Sequence, residues 1–144
     1  MTQPCFFKVC AIVFCLALLS TLPAWQPAQP GPLAESVKRG QSLYQLHCQS
    51  CHMENGEGIA GVFPPLAKAD YLLKDPKRAM GEIIYGVSGE MVVNGVTYNG
   101  AMPANNLNNQ EVADIMNYIL NSWGNKGKLV KPADVQVART QYKP

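Results

Sequence analysis

Two thiols three residues apart with a histidine directly after the second, Cys48-Gln49-Ser50-Cys51-His52, constrain the fold of this chain more than any other feature. On one turn of helix both sulfurs reach the two vinyl groups of a single porphyrin, and the imidazole of His52 is left facing the iron. The pattern is the attachment signature of covalent haem c, so the expected cofactor is one haem held through Cys48 and Cys51 with His52 as proximal ligand. A chain that must wrap a flat apolar ring needs helices long enough to enclose it. Two other readings compete for the same residues. A zinc half-site would need a second Cys or His pair, which the sequence lacks, and a thioredoxin-like dithiol would need a βαβ setting.

Thioether attachment calls for an exported chain, and the N-terminus reads as an export signal. Lys8 precedes an uncharged apolar run from Val9 to Leu19, then Leu22-Pro23-Ala24 and a Pro/Gln-rich stretch through Pro32. Residues 1–24 are expected to be a signal peptide and 25–33 a linker, with a periplasmic mature protein. The competing reading is an uncleaved anchor, since the charge-free stretch from Val9 to Trp25 approaches the roughly 20 residues that span a bilayer. Of five cysteines, Cys5, Cys10 and Cys15 fall in this segment, which leaves Cys48 and Cys51 for the mature protein and no disulfide. Phe14 argues against lipid attachment at Cys15, where a small residue usually precedes the cysteine.

The remainder, about 115 to 120 residues, is the size of one domain, expected over 34–125 with a polar C-terminal extension at 126–144. Of the 12 basic residues all but Lys8 lie beyond Trp25, where they face 10 acidic ones, and this balance argues against a nucleic-acid partner. The tail carries Lys126, Lys128 and Lys131, a cluster open to two readings: a solvated face, or a dock for an acidic partner.

Helical signals bracket the motif. Ala34 to Cys51 reads as a helix with Val37, Leu43, Tyr44 and Leu46 as apolar positions around Gly40. Asp75 with Pro76 begins a second helix that Gly86 closes, with Met80, Ile83 and Ile84 facing inward. Asn108 and Glu111 form a capping box for a third, whose stripe of Val112, Ile115, Met116, Ile119, Leu120 and Trp123 ends at Gly124. Between them, Asn94-Gly95 flanked by Met91-Val92-Val93 and Val96-Thr97-Tyr98 marks a short hairpin.

With Gly40 and Tyr44 ahead of the Cys-x-x-Cys-His and Ile115 and Tyr118 in the last helix, the chain resembles the monohaem class I c-type cytochromes over roughly 34–125. The resemblance implies an all-α cytochrome c fold, with crossing N- and C-terminal helices around the haem. The glycine then permits the crossing and the aromatic residues pack over it.

The sixth ligand decides function, because an occupied distal site makes an electron carrier and an open one permits gas binding or peroxide chemistry. His47 is tethered to the proximal side, Met53 adjoins His52, and Met80 and Met116 sit at core spacing in helices, which leaves Met91 and Met102. Met102-Pro103, in a turn-rich loop, is similar to the distal-ligand motif of the family and favours Met102, which Pro103 holds extended. Likewise Phe63-Pro64-Pro65-Leu66 resembles the proximal loop in which a proline carbonyl bonds the ligand histidine. Pro64 falls on that carbonyl and Leu66 on the apolar contact two residues later; Pro65 is the alternative, and a rigid surface turn is the plainer reading.

The function implied is outer-sphere transfer of one electron between redox partners, a reductase and a terminal acceptor enzyme, without substrate conversion. Gly95 to Asn125 looks like the cytochrome modules that accompany nitrite reductases and other respiratory enzymes, which implies a donor role in denitrification or a related chain. Two readings stand against it: a haem enzyme or gas sensor with a labile distal methionine, against which no Arg, His or Glu adjoins Met102 in sequence, and a membrane-anchored subunit of a redox complex.

Overall fold

A computed structural model describes residues 30–143 of the chain; the signal-peptide and anchor readings at Val9 to Trp25 lie outside them. Helix α1 (Pro32–His47) starts on a proline, whose missing N–H belongs to the unpaired first turn, and carries Glu35 in its first turn and His47 in its last, in keeping with the helix dipole. It buries Ser36, Gly40 and Tyr44, one residue per turn on a single face. Leu46 lies off that face and is 76% exposed. The helix does not run to Cys51 as one piece. It breaks at Cys48 (φ −122°, ψ −33°) and resumes as the single turn α2 (Gln49–His52).

A five-residue helix α3 (Asp70–Lys74) leads into α4 (Pro76–Tyr85), where the Asp75 carboxylate accepts from the Arg78 amide at 3.0 Å. Strands β1 (Val87–Val93) and β2 (Val96–Met102) pair antiparallel from Val87↔Met102 to Val93↔Val96, and so reach well beyond Met91 and Tyr98. Asn94 and Gly95 both take positive φ (52° and 79°), as a two-residue turn with the strands' own twist requires.

Helix α5 (Asn109–Ile119) is the centre of the core, with Val112, Ile115 and Met116 at most 1% exposed. Its start is reciprocal: the Asn108 side chain accepts from the amides of Gln110 and Glu111, and Glu111 accepts from the Asn108 amide at 2.8 Å. Its end comes four residues before Trp123 and without a glycine cap. Asn125, buried, donates to the Ile119 and Leu66 carbonyls and accepts from the Lys68 amide, so a side chain satisfies the last turn and ties it to the loop before α3.

Gly40 is where α1 and α5 meet, since a Cβ there would stand 1.9 Å from the Asp114 carbonyl oxygen. Beside it the buried Asp114 carboxylate accepts from Ser36 at 2.5 Å, from Arg39 at 2.7 and 2.8 Å and from Gln110 at 3.0 Å. Tyr44, Tyr118 and Trp123 close one end of the pair, with ring centroids 5.2 to 5.3 Å apart.

The stretch after Asn125 corrects the sequence reading. In place of a polar extension it holds helix α6 (Pro132–Gln141), whose Val135 and Ala138 are fully buried against α4 and α5. The architecture is thus helical with one two-stranded sheet. No helix among the described residues is long and apolar enough to cross a membrane.

Candidate haem site

The break at Cys48 turns α2 so that Cys48, Cys51 and His52 face one cleft between the helices, the loop after His52 and the hairpin. Neither Cys48 nor Cys51 is in a disulfide. Burial, and then the neighbouring Cys51, push the Cys48 thiol up to about 11, which keeps it a neutral thiol at neutral pH.

The loop after His52 is shaped by Gly58 at φ +63°, where a Cβ would come within 2.3 Å of the Phe63 carbonyl oxygen. That close approach, with the Ile59↔Phe63 bridge, folds the loop back and sets the Pro64 carbonyl 3.0 Å from His52 Nδ1. A carbonyl only accepts, so Nδ1 carries the proton and Nε2 keeps its lone pair. Burial lowers the pKa of His52 against an opposing pull from this bond, and the ring stays neutral, the form that can bind a metal. Tyr44 anchors the same loop by donating to the Met53 carbonyl at 2.6 Å.

Leu66, Pro65 and Phe63 continue the cleft wall, Leu107, Ile115 and Ile119 form its floor, and the hairpin supplies Val87, Met91, Val93, Tyr98, Gly100 and Met102. These hairpin residues are alternate positions of both strands, the face that the pairing register turns to one side, and Ala101, between two of them, also borders the cleft. A Cβ at Gly100 would meet only the Val62 carbonyl oxygen, at 3.8 Å, so between Tyr98 and Met102 the sheet leaves room for a flat group to lie against its backbone.

All six sequence-derived site residues, Cys48, Cys51, His52, Pro64, Leu66 and Met102, therefore line one cleft, with Met91 beside them. Met80 and Met116 are buried in the core away from it, and His47 is exposed at its rim. Among the described residues no three or more His, Cys, Asp or Glu side chains converge on a metal-sized site, which leaves zinc without its other ligands. A long apolar cleft with two thiols and one free imidazole nitrogen fits a haem.

Sequence reasoning missed the polar part of the wall. Tyr71, on α3, and Glu82, on α4, both line the cleft, and the Tyr71 hydroxyl donates to Glu82 at 2.8 Å. Arg78 stacks 3.6 Å over the Tyr71 ring, with its Nε 3.3 Å from Glu82. Arg78, Glu82 and Met102 also share a second, shallower concavity. The sequence showed no acid or base beside Met102; the fold brings this pair to its loop, and the helical spacing of Arg78 and Glu82 was the available signal.

Comparison with known proteins agrees with the geometry. The Cytochrome c family matches residues 37–123. Cytochrome c-552 of Thermus thermophilus is 38% identical over 104 residues, which cover 69% of this chain and 70% of that protein. The cytochrome c subunit of the quinone alcohol dehydrogenase of Gluconobacter oxydans is 32% identical over 108 residues, 73% of this chain. That of the gluconate 2-dehydrogenase of Pantoea cypripedii is 33% identical over 97 residues, 65% of this chain. The matched region is only 23% and 22% of those longer subunits. With a Cys-x-x-Cys-His turn set into an apolar cleft and a family match across its core, the chain belongs to the class I c-type cytochromes, electron carriers with covalently bound haem c.

Proposed function

We propose that this is an exported monohaem cytochrome c that carries one electron between a reductase and a terminal acceptor enzyme, in which Cys48 and Cys51 would hold the haem through thioether bonds and His52 and Met102 would ligate its iron. The observation that supports it most is that the hairpin register turns Met102 into the cleft that holds the Cys48–His52 turn. Haem c supplies a one-electron iron couple. His52 would present Nε2, its ring held by the Pro64 carbonyl, which also makes the nitrogen a better donor. Met102 would present a soft, neutral sulfur, which does little to stabilise ferric iron and so favours a potential on the high side for a haem. Leu66, Ile115 and Ile119 keep water from the ring. If His52 and Met102 both hold the iron in either oxidation state, little would reorganise on transfer.

The export signal at Val9 to Leu19 supports a periplasmic site, with 1–24 removed; a first residue between 25 and 29 in the mature protein would exclude the anchor. The finer reading, donation to a nitrite reductase or a related denitrification enzyme, rests on the Gly95 to Asn125 resemblance. The dehydrogenase-subunit relatives point instead to a partner that oxidises an alcohol or a sugar acid, so reduction rates with both enzyme classes decide between them.

Glu82 favours a second reading, a haem enzyme or gas sensor with a labile Met102, because it places a carboxylate in the cleft. Tyr71 and Arg78 already engage that carboxylate, which argues for a wall rather than a proton donor. The test is the ferric optical spectrum of wild type, Met102→Ala and Met91→Ala. A weak far-red sulfur-to-iron band in wild type that only Met102→Ala abolishes is the expected result. Absence of the band in wild type, with ready carbon monoxide binding on reduction, would transfer the case to the second reading.

A further inference from the structure

We infer that helix α6 holds the distal ligand in place, with Arg139 as the positioning residue of the loop that carries Met102. The inference rests on the reading of Met102 as ligand.

Met102 ends β2, and residues 103–108 join it to α5. The far end of that loop is held from α6. Arg139 donates through Nε to Asn109 Oδ1 at 2.6 Å and through Nη2 to the carbonyl of Leu107, a buried residue of the cleft wall. Asn109 in turn donates to Gln136, one turn earlier on α6, at 2.8 Å. The near end is held through α4. Asn105 donates twice to the Ile83 carbonyl, at 3.1 and 3.2 Å, and Gly86 lies so close beneath the loop that a Cβ would stand 2.7 Å from the Met102 carbonyl oxygen. Helix α4 is itself fixed to α6: Tyr85 donates to the Arg139 carbonyl at 2.8 Å, and Tyr142 sits where a Cβ on Gly81 would be only 2.5 Å away.

Arg139 thus serves both ends, its guanidinium at Leu107 and Asn109 and its carbonyl at Tyr85. The physical need is specific to a thioether. A neutral sulfur binds iron weakly, so its residence depends on how far the loop can swing rather than on the bond alone. A charge-assisted bond from a guanidinium to a main-chain carbonyl limits that swing more than a neutral one would. With Arg139 gone, the carbonyl of the buried residue Leu107 loses its side-chain partner, and the segment can relax toward solvent. Only Val135 and Ala138 of α6 are buried, a small core contribution for a ten-residue helix, and two of its polar side chains, Gln136 and Arg139, bond to Asn109 and to the Leu107 carbonyl.

The test uses the full-length holoprotein and the rate at which free imidazole displaces the sixth ligand of the ferric form, measured well below the unfolding temperature, together with the far-red band. Arg139→Ala should accelerate displacement roughly tenfold or more, the effect of one lost charge-assisted bond, and weaken the band. Arg139→Lys, which can reach one acceptor and not both, should fall between. Tyr85→Phe, which removes one hydroxyl and no packing, should accelerate displacement by a smaller factor, and it carries the test if Arg139→Ala does not fold. Displacement within twofold of wild type in the folded variants, with only the melting temperature lowered, would reduce α6 to a structural helix and overturn the inference. A far-red band that survives Met102→Ala removes the ligation reading, and this inference with it. Loss of the band there with no effect at Arg139 and Tyr85 removes the inference alone.

Discussion

Gly40→Ala tests the contact that sets the two main helices against each other. The added Cβ would lie 1.9 Å from the Asp114 carbonyl oxygen, 2.5 Å from its carbon and 2.8 Å from Tyr118 Cβ, where ordinary contact begins at 3.4 Å. Two of those three atoms are backbone, so no rotamer change relieves them and the helices must part by on the order of 1.5 Å. Overpacking that flexible neighbours can absorb costs about 1–3 kcal/mol, and here the upper end applies. Separation also stretches the bonds from Ser36 and Arg39 to Asp114, hydrogen bonds to a charge that contribute roughly 1.5–3 kcal/mol each when intact. Alanine returns about 1 kcal/mol through its better helix propensity. The net expectation is a loss of about 3 kcal/mol. Guanidinium unfolding of the holoprotein, followed by circular dichroism and by tryptophan fluorescence, gives the difference from the two midpoints and a shared slope. A loss below about 1 kcal/mol, or a gain of the kind alanine gives on an open helix face, would refute the close approach.

Asp114→Asn probes the same junction by pH. Burial alone would raise the Asp114 pKa, but bonds from Arg39, Ser36 and Gln110 outweigh it, and the carboxyl ends below its ordinary 3.8. A lowered carboxyl pKa stabilises the fold above that ordinary value, and the gain is lost as pH falls through the lowered one. Wild type should therefore lose melting temperature below about pH 4, while Asp114→Asn starts lower at pH 7 and shows a flatter acid limb; parallel curves would remove the assignment. Tyr44→Phe deletes the hydroxyl that donates to the Met53 carbonyl and should cost about 1 kcal/mol, with the haem spectrum unchanged. An altered spectrum at full stability would show that this bond positions His52 instead of supporting the loop.

What the sequence disclosed was what the chain settles locally. Asn108 with Glu111, and Asp75, satisfy amides within one turn, and Pro76 lacks the N–H that would need a partner, so their residue types suffice to place a helix start. Other features depend on partners far along the chain. The apolar period of α5 runs on to Trp123, yet the helix stops at Ile119 because the Asn125 side chain takes its carbonyl and ties it to Leu66. Helix α6 offers only Val135 and Ala138 as apolar inward positions, a pattern indistinguishable from a solvated tail until α4 and α5 are in place. Five residues of α3 are too few to show a period at all. Glu82 and Met102 line the same concavity only because the end of α4 lies under the Met102 loop.

The candidate ligands divide along the same line. Cys48, Cys51 and His52 share one helical turn, so their spacing alone directs all three to one place. Met102 has no such local constraint, and its orientation comes from a turn seven residues away. Asn94-Gly95, with both φ positive, fixes Val93 opposite Val96, and from that pair the alternation of side chains carries Tyr98, Gly100 and Met102 into the cleft with Met91 and Val87. A slip of one residue would turn Tyr98 and Met102 out to solvent and bring Thr97 and Asn99 in. Two residues that line none of the cleft thus decide whether it holds the Met102 sulfur, and Gly95, the turn position that most requires a left-handed backbone, is as much a part of the distal site as the methionine it aims.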